Sequence, residues 1–309
     1  MSSSAPSADL SLDSLRGRDY LHVRDLTAEE LAAVLDLALA IKAGGYRGRP
    51  LQDRHVAMLF QRPSHRTRVS FEVGIGRLGG RWTTLSEQDV QLGVRESVAD
   101  AARVLDRYVD LIVGRLKSQA ALDELAGAAD VPVVNALTEE SHPCQILADL
   151  LTLREIKGRL DGVRLAYVGD GNNISNSLAE AAQLTGLDLV VIGPPGYHPA
   201  RIPNGVEVTD DLARVQGADA VYTDVWASMG HEEERSARLE AFRGYQVNAE
   251  LMAGAPQAVF LHCLPAHRGE EVTDEVIDGP ASRVFQQAEN RLYAQMALMA
   301  ALMGAGSSA

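Results

Sequence analysis

Apolar and polar positions follow two rhythms along this chain, and the rhythms take turns. His55-Val56-Ala57-Met58-Leu59-Phe60 is a near-continuous apolar run of strand length, as expected for a strand buried on both faces. Before it, Leu31, Val34, Leu35, Ala38 and Ile41 recur at helical spacing, opened by a capping-box pair at Thr27 and Glu30 and stopped at Gly44-Gly45. After it, Val69, Phe71, Val73, Ile75 and Leu78 punctuate a helical stretch that ends at Gly79-Gly80. Further strands are expected over residues 81–85, 110–114 and 131–134, and helices over about 96–108, 118–128 and 143–157. Gly158-Arg159-Leu160-Asp161-Gly162 breaks the pattern, which then restarts. The second half predicts strands over 163–168, 188–192, 219–223 and 258–261, helices ending near 185 and 242, and a closing helix over 288–303.

Alternating strands and helices predict an α/β chain of two doubly wound parallel-sheet domains joined by interdomain helices. The expected division is a disordered tail over 1–18, a first domain over 19–157 with helix 288–303 packing back on it, and a second domain over 158–287. A length of 309 residues agrees with two domains.

Composition narrows the function. A net charge of −13 argues against nucleic acid or an anionic membrane as partner. No apolar run approaches the ~20 residues needed to span a bilayer. Residues 1–9 lack the basic start and apolar stretch of a signal peptide, so a cytoplasmic protein is expected. Two cysteines, Cys144 and Cys263, are too few for a disulfide scaffold, and the neighbouring His142 and His262 do not give metal-ligand spacing.

Against that acidic background Ser64-His65-Arg66-Thr67-Arg68 is a local positive device. It joins a strand to a helix start, where free backbone N–H groups, hydroxyls and guanidinium forks suit phosphate; the bland alternative is a solvated basic turn. Polar residues at the C-terminal ends of parallel strands line the ligand crevice. Those here are Ser64 to Arg68, Arg115, and Glu139-Glu140-Ser141-His142. In the second half, Gly169-Asp170-Gly171-Asn172-Asn173 invites a dinucleotide reading, but its glycine spacing is incomplete. The strand that should end in a ribose-binding acid ends instead in Gly193-Pro194-Pro195. The asparagines are left as candidate ligands for a polar small molecule. Asp224 and Cys263 end two different strands and can face one crevice, as a proton-handling pair or as a helix cap beside a buried cysteine.

Taken together, Ser64-His65-Arg66-Thr67-Arg68 with Ser70-Phe71-Glu72, then His142-Pro143-Cys144-Gln145, resemble the carbamoyltransferases. Asp170-Gly171-Asn172-Asn173, Asp224-Val225-Trp226-Ala227-Ser228-Met229-Gly230 and His262-Cys263-Leu264-Pro265 are similar to the ornithine branch of that family, over about residues 19–302. The resemblance implies transfer of the carbamoyl group of carbamoyl phosphate to the δ-amine of L-ornithine, giving L-citrulline and phosphate in arginine metabolism. It implies no cofactor, no metal, and a homotrimer or an assembly of trimers. It assigns Ser64, His65, Arg66, Thr67, Gln91, Arg115, His142 and Gln145 to carbamoyl phosphate, with Cys263, Leu264 and Arg291 closing around the carbonyl. It gives Asn173, Asp224, Ser228 and Met229 to ornithine, and the chemistry to Cys263, Asp224, Arg115 and His142. Two positions depart from the family pattern: His65 and Ala101 stand where threonine is frequent. Transfer to another amine (putrescine or a modified ornithine), a nicotinamide-dependent dehydrogenase, and a non-catalytic amino-acid-binding paralogue are the alternatives.

Overall fold

The structure, a computed structural model, describes residues 12–226 and 235–305. The chain divides into two compact units, Met1–Leu151 with Asn290–Ala309, and Thr152–Glu289. Both divisions fall inside helices, Pro143–Lys157 and Val284–Leu302, rather than at the glycine break after 157. A glycine break marks where the chain turns, whereas membership of a compact unit is decided by packing.

The first unit holds a parallel sheet of β1 (His55–Phe60), β2 (Arg81–Ser86), β3 (Leu111–Arg115) and β4 (Val133–Leu137), in the order β2-β1-β3-β4. β1 lies between two neighbours, Val56 opposite both Trp82 and Leu111, so Val56 to Phe60 are all buried. This is why the run carries no polar alternation. On one face Ala57, Leu59 and Ile112 pack with Ala101, Leu122 and Leu125; Ala101 thus fills core. β2 is an edge, and its Arg81, Trp82 and Thr83 are exposed.

Local capping fixes the helix starts. Thr27 Oγ1 accepts from Glu30 N at 3.2 Å, and Glu30 Oε2 accepts from Thr27 N at 2.9 Å, the expected capping box. Glu30 also takes Ser14 Oγ at 2.6 Å and Arg18 at 2.8 Å. Burial raises its pKa, but these bonds outweigh that and hold it below the usual glutamate value. The expected tail therefore ends sooner than residue 18, because Leu12 and Leu15 are buried and Arg18 is tied to Glu30. Residues 1–11 lie outside the described residues.

β4 runs past the expected end at 134, through Asn135. Asparagine is a poor strand former, yet Asn135 is fully buried and its amide donates to Leu21 O at 2.8 Å. Tyr20 pairs beside it on the edge of β4. The helix expected over 96–108 shortens to Val98–Leu105, started by Ser97 Oγ accepting from Asp100 N. The last helix begins at Val284, ahead of the expected 288.

The second unit holds β5 (Arg164–Val168), β6 (Asp188–Ile192), β7 (Glu207–Thr209), β8 (Ala220–Thr223) and β9 (Val259–His262), all parallel in the order β7-β6-β5-β8-β9. Its core joins Ala166, Val168, Val190, Ile192, Val221 and Phe260. β7 is absent from the sequence-based pattern. Its three residues are half-buried on the sheet edge, too few to show a period, and pairing with β6 is what makes them a strand.

Candidate active site

In the first unit the strand order reverses between β1 and β3. At such a switch point the following connections leave to opposite sides and open a crevice at the strands' C-terminal ends. Ser64 stands there as N-cap of helix His65–Arg77, with extended backbone and its Oγ accepting from Thr67 N at 3.4 Å. Thr67 is fully buried, and its hydroxyl oxygen is a hub. It accepts from Arg291 Nη2 at 3.0 Å, Ser64 Oγ at 3.1 Å and Arg115 Nη1 at 3.4 Å. Arg115 is the last residue of β3, not the residue beyond it, and like Arg291 it is buried.

His142 is buried beside these groups, immediately before helix Pro143–Lys157. Burial, then the charges of Arg291, Arg115 and Arg66, push its pKa well below the usual histidine value. The imidazole is therefore neutral at neutral pH. Gln145, one turn on, is buried and donates to the buried Asp149 at 2.8 Å. Several guanidinium charges focused on a helix N-terminus form a seat for a multiply charged oxyanion. A cavity of about 500 Å³ opens next to it, lined by Gln61, Ser64, His65, Arg68, Thr84 and Ser86. Arg68 is half committed elsewhere, paired with Glu72 at 2.8 Å.

In the second unit the order reverses between β5 and β8. Asn172 follows β5 and caps helix Asn173–Thr185, its Oδ1 accepting from Ile174 N at 2.9 Å and Ser175 N at 3.2 Å. The Tyr167 hydroxyl reaches the same oxygen at 3.2 Å. With the amide oxygen so occupied, Nδ2 is the end left to donate, and it does so to Asp224 Oδ2 at 2.7 Å. The other oxygen of Asp224 accepts from Val225 N at 2.8 Å and from the Cys263 thiol at 3.0 Å. Asp224, which follows β8, is thus fixed at both oxygens. Burial, then the nearby Asp224, Asp170 and Cys263, push the Tyr167 phenol far above its ordinary pKa, so it remains a neutral donor.

Beyond β9 the chain turns sharply. Leu264 has φ 58°, a left-handed backbone that costs a leucine about 1 kcal/mol or more. Its N–H donates to His262 Nδ1 at 2.8 Å, which leaves His262 Nε2 to donate to the buried Glu271 at 3.3 Å. That tautomer sets the turn holding Cys263 and Leu264.

Comparison with known proteins decides the family. Residues 18–155 match the model described as aspartate/ornithine carbamoyltransferase, carbamoyl-P binding domain. Residues 161–302 match that family's Asp/Orn binding domain. The chain belongs to the aspartate/ornithine carbamoyltransferases. The protein of Symbiobacterium thermophilum named ornithine carbamoyltransferase is 51% identical, over 94% of this chain and 100% of that protein. A Pyrococcus furiosus protein named as the anabolic enzyme is 49% identical over 94% of this chain and 98% of its own length. A solved ornithine carbamoyltransferase structure from P. furiosus superposes with a TM-score of 0.89 at 48% identity, covering 95% of this chain and 99% of that one. The two matched domains correspond to the two sheets, and the α/β fold is the family's.

The structure brings Ser64, Thr67, Arg115 and Arg291 into one bonded cluster, with the charges of Arg66 and of that cluster bearing on His142. His65 is exposed at the first helical position. Gln91 is exposed too, at φ 47°, closing the turn of helix Glu87–Val90. Asp224 and Cys263 are joined directly, Leu264 follows, and Asn173 begins the helix that Asn172 caps. Ser228 and Met229 lie outside the described residues. Sequence reasoning missed Asp149, Tyr167 and Glu271. The one available signal was Asp149 itself, an acid four residues after Gln145 on one helix and so on the same face.

Proposed function

We propose that this carbamoyltransferase acts on carbamoyl phosphate and L-ornithine, giving L-citrulline and phosphate. The observation that carries the choice of ornithine is the Asp224 carboxylate, held between Asn172 and Cys263 at the second unit's switch point. An anionic seat attracts an ammonium group; an aspartate substrate would need a cation for its second carboxylate.

In this reading Ser64, His65, Arg66, Thr67 and Gln91 hold the phosphate, and Arg115, His142, Gln145 and Arg291 complete the seat around the carbamoyl group. Asn173, Asp224, Ser228 and Met229 hold ornithine, and Cys263 and Leu264 lie at the carbonyl. The δ-amine is protonated in water and must first lose that proton. Desolvation favours the neutral amine, and the Asp224 carboxylate, oriented by the Cys263 thiol, is the base that accepts the proton and passes it to solvent. The amine lone pair then forms the C–N bond, and negative charge gathers on the carbonyl oxygen. Arg115, neutral His142 and the Thr67 hydroxyl are donors preorganised for it. The C–O bond to phosphate breaks, Arg66 and Arg291 receive the growing charge, and the departing phosphate takes the second proton from the attacking nitrogen.

A homotrimer, or an assembly of trimers, belongs to the same proposal. Val69 and Val73 are exposed on helix His65–Arg77, and a Cβ on Gly76 would meet the exposed Trp82 ring at 3.5 Å. These positions form an apolar strip along the β2 edge, suited to pairing with another copy. The setting is proposed to be cytoplasmic arginine biosynthesis; no helix among the described residues is long and apolar enough to cross a membrane.

Incubation with carbamoyl phosphate and ornithine, putrescine, N-acetylornithine or aspartate in parallel tests the reading. Ornithine should be carbamoylated far faster than the rest. A faster reaction with any other amine refutes the substrate assignment, and light scattering that gives a monomer mass refutes the trimer.

A further inference from the structure

We propose that Asp149 is a positioning residue that sets the polarity of the Gln145 amide and so makes the first unit select acyl phosphates bearing an amide nitrogen over those bearing a methyl group. The inference rests on the assignment of this seat to carbamoyl phosphate and names what distinguishes that ligand there.

Gln145 and Asp149 sit one turn apart on helix Pro143–Lys157, and both are buried. A carboxylate accepts hydrogen bonds and does not donate them. The bond of 2.8 Å between them therefore fixes which end of the amide is which: Nε2 faces Asp149 and Oε1 faces away. Oε1 is buried and takes no hydrogen bond among the described residues. A buried acceptor without a donor is costly, and a ligand that displaces solvent from it must itself bring a donor.

The surroundings say what kind of ligand. His142, three positions earlier and just ahead of the helix, lies in the field of Arg291, Arg115 and Arg66. The ligand therefore combines an anionic group for the guanidiniums with a neutral N–H donor close by. Carbamoyl phosphate has both, its NH2 standing where acetyl phosphate has CH3. The two are nearly equal in size, so shape separates them poorly, whereas an unmet Oε1 penalises the methyl compound. Without an acceptor fixed at Asp149, the Gln145 amide can rotate and present Nε2 instead, which repels the carbamoyl NH2.

The test measures equilibrium binding of carbamoyl phosphate, acetyl phosphate and inorganic phosphate to the full-length protein and to Asp149→Asn, whose side chain is isosteric but can donate. Wild type should prefer carbamoyl over acetyl phosphate by roughly 10-fold or more, the range expected for one buried acceptor left unpaired. In Asp149→Asn the preference should fall by about 10-fold, with inorganic phosphate affinity changed by no more than about 3-fold. A merely structural role would weaken all three ligands together and leave the ratio alone, and that result overturns the proposal. If Asp149→Asn gives no cooperative melt, Gln145→Met takes its place, with the same loss of preference expected and an unchanged ratio again decisive. A wild-type preference near unity overturns the proposal without any variant. Citrulline formation alongside an unaltered ratio sinks this inference alone; absence of both carbamoyl phosphate binding and citrulline formation sinks the substrate reading beneath it.

Discussion

Replacing Thr67 by valine removes one oxygen and keeps the shape of a fully buried side chain. That oxygen receives Arg291 at 3.0 Å, Ser64 at 3.1 Å and Arg115 at 3.4 Å. The Arg115 contact is long enough to count for little. The Arg291 contact is a bond from a charged donor, worth about 1.5–3 kcal/mol net, and the neutral Ser64 bond adds about 0.5–1 kcal/mol. Some of this returns as the guanidinium and the serine hydroxyl find other acceptors, so a loss of about 2 kcal/mol is expected. For a unit of this size that is a fall in Tm of about 4–8 °C.

The same change should weaken phosphate. With the lone pairs of Oγ1 occupied by donors, the Thr67 proton is the part left to reach an anion, and its loss should raise the Kd of inorganic phosphate about 10-fold. Thr67→Ser separates the two contributions of the side chain. It keeps the hydroxyl and deletes a methyl group, so it should cost about 1 kcal/mol of stability while leaving phosphate affinity within about 2-fold. Calorimetric melts with and without phosphate, beside titration calorimetry, read both quantities. A Thr67→Val protein that melts and binds phosphate like wild type would show that the hub is incidental and that the anion seat lies elsewhere.

Asp224→Asn should raise the KM for ornithine and lower kcat by about 10²-fold or more while leaving carbamoyl phosphate affinity nearly unchanged; loss of carbamoyl phosphate binding instead would reverse the division of labour between the units. Cys263→Ser should lower kcat by roughly 10- to 1,000-fold and move the alkaline limb of kcat/KM, because serine cannot titrate in that range; an unchanged pH profile at an unchanged rate makes the thiol mere packing. His142, its pKa depressed by burial and then by Arg291, Arg115 and Arg66, binds its proton more readily in the unfolded chain, where it titrates near 6.5. Its contribution is therefore flat above pH 6.5 and falls as pH drops through that value toward the lower folded pKa. His142→Gln should flatten urea-melt stability between pH 7 and 5, and an unaltered slope would show that the imidazole is not held neutral. The Cys144 thiol, raised by burial to about 12, should resist iodoacetamide in the folded protein and react only on unfolding; labelling at a free-thiol rate in the native state would contradict its burial.

Much of this molecule is local and was therefore legible in the sequence. The capping box of Thr27 and Glu30 closes within one turn, as does Ser64 over Thr67, so the residues that make each helix start are the residues that announce it. β1 and β6 show as apolar runs because parallel strands buried on both faces have no polar side. The family motifs marked the candidate residues, since their order along the chain is enough to recognise them. What the sequence withheld is every relation between distant residues. Arg291 meets Thr67 across 224 positions, Asn172 meets Asp224 across 52, and Cys263 meets Asp224 across 39. The last two depend on strand order, which places the C-terminal ends of β5, β8 and β9 side by side, and the first on the packing of helix Val284–Leu302 against the first unit. The order is chosen by the burial of whole sheets, an energy summed over many residues that no short stretch carries. The same cause turned Asn135 into a strand residue, because Leu21 supplies the acceptor its buried amide needs. It also made a strand of Glu207–Thr209, whose period is too short to read until β6 pairs with it.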